Sequence, residues 1–267
     1  GLTGVTTGFK YLDQMTSGLQ KSDLIILAAR PAMGKTAFAL SLALNAAVKG
    51  KASVMVFSME MAKEQLGQRL LSMESKVPMQ SLKTGKLERR DWDDINIALD
   101  ILSKANIHID DTAGINIMEM KSKCRRLKAE EGLDLIVIDY LQLMNPEGKA
   151  DSRTQEISVI SRNLKLLAKE LNCPVLVLSQ LSRAPETRTD HRPMLSDLRE
   201  SGSIEQDADI VIFLYRDEYY NEDSEAHGEC EVIVAKQRSG PTGTVKITWL
   251  DKLTKFVDSM GSSGPGF

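Results

Sequence analysis

The sequence has little cysteine, the residue that forms disulfides in small folds and binds metal ions. Only three of its 267 residues are cysteine, and Cys124, Cys173 and Cys230 lie far apart. An odd number argues against a disulfide framework, and none of the three has the spacing of a metal-ligand pair. The three histidines are isolated from them as well. We therefore expect no structural zinc site, and we expect a protein of the reducing cytoplasm.

Long apolar runs are also absent. No stretch of the sequence approaches the roughly 18 to 20 apolar residues that a membrane-spanning helix needs. The opening stretch GLTGVTTGFKYLD has neither the basic segment nor the apolar core of a signal peptide. We expect no association with a membrane and a cytoplasmic location.

An excess of positive charge is missing too. Lysine and arginine number 34 against 37 acidic residues, which leaves a formal net charge of -3. This balance excludes an ordinary, strongly basic nucleic-acid binder. It does not exclude a ring that threads a strand, because linked subunits add up weak contacts. With 42% hydrophobic residues, the chain is long enough for one large α/β domain with a buried core.

The sequence does contain a candidate phosphate-binding loop, AARPAMGKT at residues 28–36. An apolar strand pattern at residues 23–29 precedes it, and residues 35–48 repeat apolar side chains at helical spacing. In such a loop, backbone N–H groups and the helix N-terminus face the phosphates. Lys35 would reach the β- and γ-phosphates, and the Thr36 hydroxyl would ligate Mg²⁺. The residues predicted to bind the nucleotide are Ala32, Met33, Gly34, Lys35, Thr36 and Ala37.

One residue departs from the motif. The glycine expected five residues before Gly34 is Ala29. A methyl group is the smallest intrusion that a side chain can make there. The alternative is a chance GKT at the start of a helix.

Strand and helix patterns alternate through most of the chain. Such alternation predicts an α/β fold in which a mostly parallel sheet is flanked by helices on both faces. After residue 219 the pattern changes to two strands joined by a turn, an antiparallel hairpin at one edge of the sheet. We predict strands at residues 23–29, 52–57, 106–111, 133–140, 173–180 and 208–216, with the hairpin at 229–249. We predict helices at residues 35–48, 62–73, 87–105, 116–132 and 156–171, a polar loop at 145–155 and a largely polar region at 181–206.

Three polar side chains follow predicted strands. Ligands of open parallel sheets bind beyond the carboxyl ends of the strands, where Glu60, Asp139 and Gln180 are expected. Asp139 is predicted to face Mg²⁺ together with Thr36, or to be an ordinary loop acid. Glu60 is a candidate base for an attacking water, or a charge that favours a helix N-terminus. Gln180 is a candidate sensor of the γ-phosphate.

Six ordered motifs give the chain a family resemblance. They are ARPAMGKT, FSMEM, DLIVIDYLQLM, VLVLSQLSR, RESGSIEQDAD and AKQRSGPTGT. Together they resemble the C-terminal motor domain of the bacterial replicative DNA helicases of the DnaB family, over about residues 4–256. Members commonly carry alanine at the position of Ala29. The resemblance implies a RecA-like P-loop NTPase fold and a hexameric ring that binds ATP and Mg²⁺ between subunits and moves on single-stranded DNA to unwind duplexes. It also implies primase and a helicase loader as partners.

The resemblance assigns roles to single residues. Lys35 and Thr36 would bind phosphates and Mg²⁺, and Asp139 would be the second acid at the metal. Glu60 would be the catalytic base, and Gln180 the residue that couples hydrolysis to movement.

Two basic residues of AKQRSG match a pair that acts on the adjacent subunit. By that match Lys236 and Arg238 would reach the neighbour's γ-phosphate, with Arg238 as an arginine finger. Without the family, an exposed arginine on a turn is ordinarily just solvated.

Two segments match the lining of the ring's channel. Arg199, Glu200 and Gly202 would contact the backbone of single-stranded DNA, which is compatible with any base sequence. Residues 181–192 are either a second channel loop or a solvated surface loop, and aromatic stacking platforms are not evident near either segment. The arginines of the second segment are Arg183, Arg188 and Arg192.

The family also sets expectations about extent and about competing functions. We expect one ATPase domain at residues 1–258, a flexible tail at 259–267, and neither the N-terminal collar domain nor the linker helix of the family. The alternatives are a RecA-type recombinase, a small-molecule P-loop kinase, and a nucleotide-dependent interaction module without motor activity. The motifs RESGSIEQDAD and AKQRSG argue against the recombinase.

Overall fold

The computed structural model describes residues 1–145, 152–198 and 202–260. Within them the strands form one nine-stranded sheet in the order β3-β2-β4-β5-β1-β6-β7-β8-β9. Strands β1 to β6 are parallel, and β7, β8 and β9 continue the sheet in antiparallel fashion. The strands are β1 Leu24–Ala29, β2 Val54–Ser58, β3 Ile107–Asp110, β4 Leu135–Asp139, β5 Val175–Gln180, β6 Ile210–Tyr215, β7 Glu229–Gln237, β8 Gly243–Leu250 and β9 Lys255–Asp258.

Helices precede β1, connect the parallel strands and follow β6. They are α1 Lys10–Thr16, α2 Lys35–Val48, α3 Lys63–Ser75, α4 Met79–Thr84, α5 Arg89–Lys104, α6 Ile117–Glu130, α7 Arg153–Leu171, α8 Ala184–Thr187, α9 Gly202–Asp207 and α10 Asp217–Tyr220. None of these helices is long and apolar enough to cross a membrane.

The core lies on both faces of the sheet. Successive residues of β1 alternate between two apolar clusters, with Ile25 and Leu27 in one and Leu24 and Ile26 in the other. Helix α2 packs on the first face, and α6 and α7 pack on the second. A continuous apolar run such as LIILAA fits a parallel strand that is buried on both sides. The predicted fold class is therefore confirmed.

The structure differs from the sequence-based prediction near the edge and in the polar region. The hairpin was expected to end the sheet, but β9 pairs with β8 beyond it, from Ile247 opposite Asp258 to Leu250 opposite Lys255. The four-residue strand KFVD is too short for periodicity to distinguish it. Helices α8 and α9 lie in the region predicted only as polar, and residues 146–151 of the predicted polar loop lie outside the described residues.

Candidate nucleotide-binding site

A cleft with a volume of about 600 Å³ lies at the carboxyl ends of the parallel strands. The strand register explains which residues meet there. Ala29 at the end of β1 is opposite Gln180 at the end of β5. Ser58 at the end of β2 is opposite Asp139 at the end of β4. The sheet thus brings residues from four separate predicted strands to the rim of one cleft.

The loop between β1 and α2 has the backbone conformation of a phosphate cradle. Ala32 and Gly34 both have positive φ, at 70° and 90°. A Cβ on Gly34 would lie 2.8 Å from the ring of Phe256, so the position needs glycine for space as well as for conformation. Ala29 is instead the last residue of β1, paired with β5, and has no positive φ. A glycine is therefore not needed at Ala29.

The ammonium group of Lys35 lies inside the cleft. Its Nζ donates a hydrogen bond to the carbonyl of Ser179 at 3.2 Å and lies 5.4 Å from the centre of the Tyr140 ring. Burial lowers the pKa of Lys35 below its usual value, while the charges of Asp139 and Glu60 oppose that change. A desolvated cation of this kind gains strongly from an anion placed beside it.

Thr36 and Asp139 form the candidate Mg²⁺ site. The Thr36 hydroxyl donates to Asp139 Oδ2 at 3.0 Å, whereas the buried Oδ1 has no hydrogen-bond partner among the described residues. Burial raises the pKa of Asp139, and Thr36 and Lys35 lower it in part. Hydroxyl and carboxylate oxygens are the ligands that Mg²⁺ prefers, usually with only one or two from the protein. An orphaned carboxylate oxygen beside a hydroxyl therefore fits the ion.

Two charged side chains complete this side of the cleft. Glu60 follows β2, as predicted, and is exposed on the cleft wall. Arg69 of α3 lines the same wall, and sequence reasoning did not identify it. Burial lowers the pKa of Arg69, and the charge of Asp139 raises it. An arginine within the ordinary helix pattern EQLGQRLL carries no sequence signal of a site.

Gln180 belongs to a hydrogen-bond network behind the cleft. Its Nε2 donates to the hydroxyl of Tyr140 at 3.3 Å, and its backbone N–H donates to Gln142 Oε1 at 3.1 Å. The Gln142 amide in turn donates to the hydroxyl of Ser179 at 3.0 Å. Tyr140 and Gln142 lie within the motif DLIVIDYLQLM but were not predicted individually. The network joins the ends of β4 and β5.

Lys236 at the end of β7 and Arg238 just after it form a basic pair. This pair lies at the opposite end of the parallel strands from the cleft. Ile210 at the start of β6 is level with Ile25 of β1 and opposite Gln237 of β7. Lys236 and Arg238 are therefore near the amino ends of the parallel strands. Six strand residues separate that edge from the phosphate loop, about 20 Å at the usual rise of a strand. Neither side chain reaches the cleft of its own chain.

Of the residues predicted to contact DNA, the structure places one. Gly202 is the exposed first residue of α9, while Arg199 and Glu200 lie outside the described residues.

Two of the three arginines of the second predicted channel loop are committed to ion pairs. Arg188 binds both carboxylate oxygens of the buried Asp197, at 2.6 and 2.5 Å. Arg192 binds both oxygens of Glu231, at 2.9 and 2.7 Å. Arg183 lines the nucleotide cleft instead. These contacts favour the interpretation of residues 181–192 as a surface loop.

The C-terminal strands supply a further part of the cleft that sequence reasoning missed. Trp249 of β8 and Thr254, just before β9, line it. The Trp249 ring packs 4.6 Å from Phe256, the residue beneath Gly34, and 5.2 Å from the guanidinium of Arg216. Only the pairing of β9 with β8 brings these aromatic rings under the loop.

The chain is similar to one family of known proteins over nearly its whole length. The model of the DnaB-like helicase C terminal domain matches residues 4–258. The replicative DNA helicase DnaB of Geobacillus stearothermophilus is 56% identical over 258 residues, 96% of this chain and 57% of that protein. The replicative DNA helicase DnaC of Bacillus subtilis is 55% identical with the same coverage. The chain thus spans a little over half the length of these relatives.

Two solved structures are similar throughout. One is described as an ATPase domain and superposes with a TM-score of 0.94 at 45% identity, covering 97% of this chain and 92% of that one. The other, a DnaB-like replicative helicase described with its interactions with primase, gives a TM-score of 0.93 at 45% identity, covering 96% and 62%.

Proposed function

Because the chain belongs to the family of DnaB-like helicase C-terminal domains, we propose that it is the ATP-hydrolysing motor of a replicative DNA helicase. In this proposal it forms a hexameric ring, moves on single-stranded DNA and unwinds duplexes. Residues 1–258 are proposed as the motor domain, and most of the predicted tail, residues 261–267, lies outside the described residues. Primase and a helicase loader are proposed partners by family membership, and one similar structure is described with its interactions with primase.

The phosphate loop is proposed to hold ATP. The N–H groups of residues 32–37 would face the phosphates, and Lys35 would exchange its bond to the Ser179 carbonyl for the β- and γ-phosphates. Thr36 and Asp139 would hold Mg²⁺, with Asp139 Oδ1, which accepts no hydrogen bond in the described part of the chain, available to it directly or through water. When bound, the ion neutralises charge that develops on the phosphates.

Glu60 is the proposed base that orients and deprotonates water. It stands on the cleft wall, close enough that its charge acts on Lys35 and Tyr140. Gln180 is proposed to sense the γ-phosphate, since its side chain borders the cleft and its backbone is bonded to Gln142. The network around Gln180 would pass that signal to the segment that follows β5.

The position of Lys236 and Arg238 supports the proposal that two adjacent subunits share each nucleotide site. Lys236 and Arg238 lie at the sheet edge opposite the phosphate loop of their own chain. A role at a γ-phosphate therefore requires the cleft of an adjacent subunit, as in a ring. In the same ring Arg199, Glu200 and Gly202 would bind DNA phosphates without reading bases.

The test is the steady-state ATPase rate against protein concentration, with and without single-stranded DNA. A shared site predicts a rate per subunit that rises with concentration, and a threaded strand predicts a further rise with DNA. A measurable rate that responds to neither variable would contradict the motor proposal.

A pair of variants separates catalysis from folding. Glu60→Gln is expected to keep nucleotide binding and to lose hydrolysis by about 10²- to 10⁴-fold, the usual contribution of a general base. Glu64→Gln removes the same charge from the first turn of α3, outside the cleft, and serves as the matched control. Equal rates in the two variants would remove Glu60 from the mechanism.

A further inference from the structure

The basic pair of β7 is bound to the carbonyl end of α9. Lys236 Nζ donates to the carbonyl of Glu205, and Arg238 Nη2 donates to the carbonyl of Gln206. Arg238 Nε also donates to the carbonyl of Ala208 at 3.4 Å. Both residues of the pair are thus held by main-chain oxygens at one end of a short helix.

The physical reason is the chemistry of helix ends. The last carbonyls of a helix lack intrahelical partners and carry the negative end of the helix dipole, so cations are favoured there. Asp209 adds a carboxylate 3.3 Å from Arg238 Nε. Asp209 is itself held by the backbone N–H of Leu24 at 2.8 Å and by Lys165 at 2.7 Å. Lys236 and Arg238 therefore cap the C-terminal end of α9, and Arg238 also contacts Asp209, which is held in place by its own hydrogen bonds.

Helix α9 is tied to the core along its length. Ile204 is fully buried, and the hydroxyl of Ser161 in α7 donates to Asp207 at 2.8 Å. The helix begins at Gly202 and has six residues, about 9 Å at the usual rise. Gly202 and the carbonyls that hold the basic pair thus lie at opposite ends of one short helix that is packed on the core.

The carbonyls of α9 compete with any other anion for the N–H groups of Lys236 and Arg238. The Arg238 side chain is 49% exposed, so it has room to turn outward. A phosphate of an adjacent subunit would accept hydrogen bonds from the same N–H groups that now bind the carbonyls of α9, so the two acceptors exclude each other. Engagement of that phosphate and the position of α9 are therefore linked.

We infer that α9 is the element that couples DNA at Gly202 to the delivery of Lys236 and Arg238 to the neighbouring nucleotide. The inference rests on the proposed function. Coupling is reciprocal, so DNA that shifts α9 favours release of the pair, and a phosphate that binds the pair changes the affinity for DNA by the same factor. Gln206, whose side chain is exposed and whose carbonyl holds Arg238, is a positioning residue in this scheme.

The test compares two substitutions at Gln206. Gln206→Gly loosens the last turn of α9, whereas Gln206→Ala removes the same side chain and keeps the helix. The measured quantity is the ATPase rate at saturating single-stranded DNA divided by the rate without DNA. The glycine variant is expected to lower this ratio about two- to fivefold relative to the alanine variant, the factor by which glycine weakens a helix equilibrium.

Two further readouts separate coupling from folding and from DNA binding. The DNA concentration that gives half of the stimulation should be the same in both variants, and their melting temperatures should show both to be folded. Equal stimulation ratios in the two variants would overturn the role of α9. An unchanged rate on adding DNA to the unsubstituted chain would instead refute the proposed function, so the two failures are distinguishable.

Discussion

Gly34→Ala tests the close approach of the phosphate loop to the C-terminal strands. The added Cβ would lie 2.8 and 2.9 Å from Phe256 Cζ and Cε2. The ring has little room to retreat, since Phe256 is fully buried between Phe38 and Trp249. Two separate penalties are therefore expected, one from the backbone and one from packing.

The backbone penalty follows from the φ of 90° at Gly34. A left-handed conformation costs a residue with a Cβ about 1 to 2 kcal/mol. Overpacking a filled core costs about 1 to 3 kcal/mol more. The free energy of unfolding, measured in urea without nucleotide, is expected to fall by about 2 to 5 kcal/mol in total.

A second background isolates the packing contribution. Phe256→Leu removes the two ring atoms that the new Cβ would meet, so there Gly34→Ala should cost only about 1 to 2 kcal/mol. Gly67→Ala is the matched control, because a Cβ at this position in α3 meets nothing within 4 Å. It is expected to stabilise the chain by about 0.5 to 1 kcal/mol. An equal loss from Gly34→Ala in both backgrounds would refute the contact argument.

Three other predictions concern the edges of the sheet. Ala29→Gly should leave nucleotide affinity unchanged in a titration and lower the free energy of unfolding by about 0.5 to 1 kcal/mol, because Ala29 lies in β1; tighter binding would contradict this. Arg238→Ala should abolish hydrolysis, and mixed rings with Glu60→Gln subunits should regain part of it, because each variant supplies what the other lacks; mixtures without any regain would argue against action in trans. Burial, and then the charge of Asp209, raises the pKa of Asp23 from 3.8 to about 6. The folded chain thus binds a proton that the unfolded chain releases, and the free energy of unfolding should fall as pH rises from about 4 to about 6. Urea unfolding of Asp23→Asn should lack this fall, and an identical pH profile would rule out Asp23 as its source.

The parallel part of the fold follows closely from sequence patterns. The short run LIVID is buried along its whole length, as a central parallel strand covered on both faces requires. Because ligands bind beyond the carboxyl ends of such strands, Asp139, Glu60 and Gln180 were predicted to lie there, and all three line the cleft. The part of the site formed by the ends of the parallel strands is predictable, because a strand end and the loop that follows it are neighbours in sequence.

The remaining parts of the site depend on contacts distant in sequence. Arg69 reaches the cleft because of how α3 packs, and Trp249 because β9 closes the sheet beside β8. The arginines of the segment after β5 were equally compatible with a second channel loop and with a solvated surface loop, and ion pairs such as that of Arg188 with Asp197 favour the surface loop. No local pattern specifies a partner of this kind.

By itself, the sequence determined the order of the six parallel strands and of the five long helices between them, the candidate phosphate loop and the acids at the strand ends, since each depends on local periodicity or on a short motif. Only the tertiary structure decided that Lys236 and Arg238 lie at the edge opposite their own phosphate loop and are bound to α9. Strand register and long-range hydrogen bonds establish that separation, and neither is encoded within a short stretch of chain.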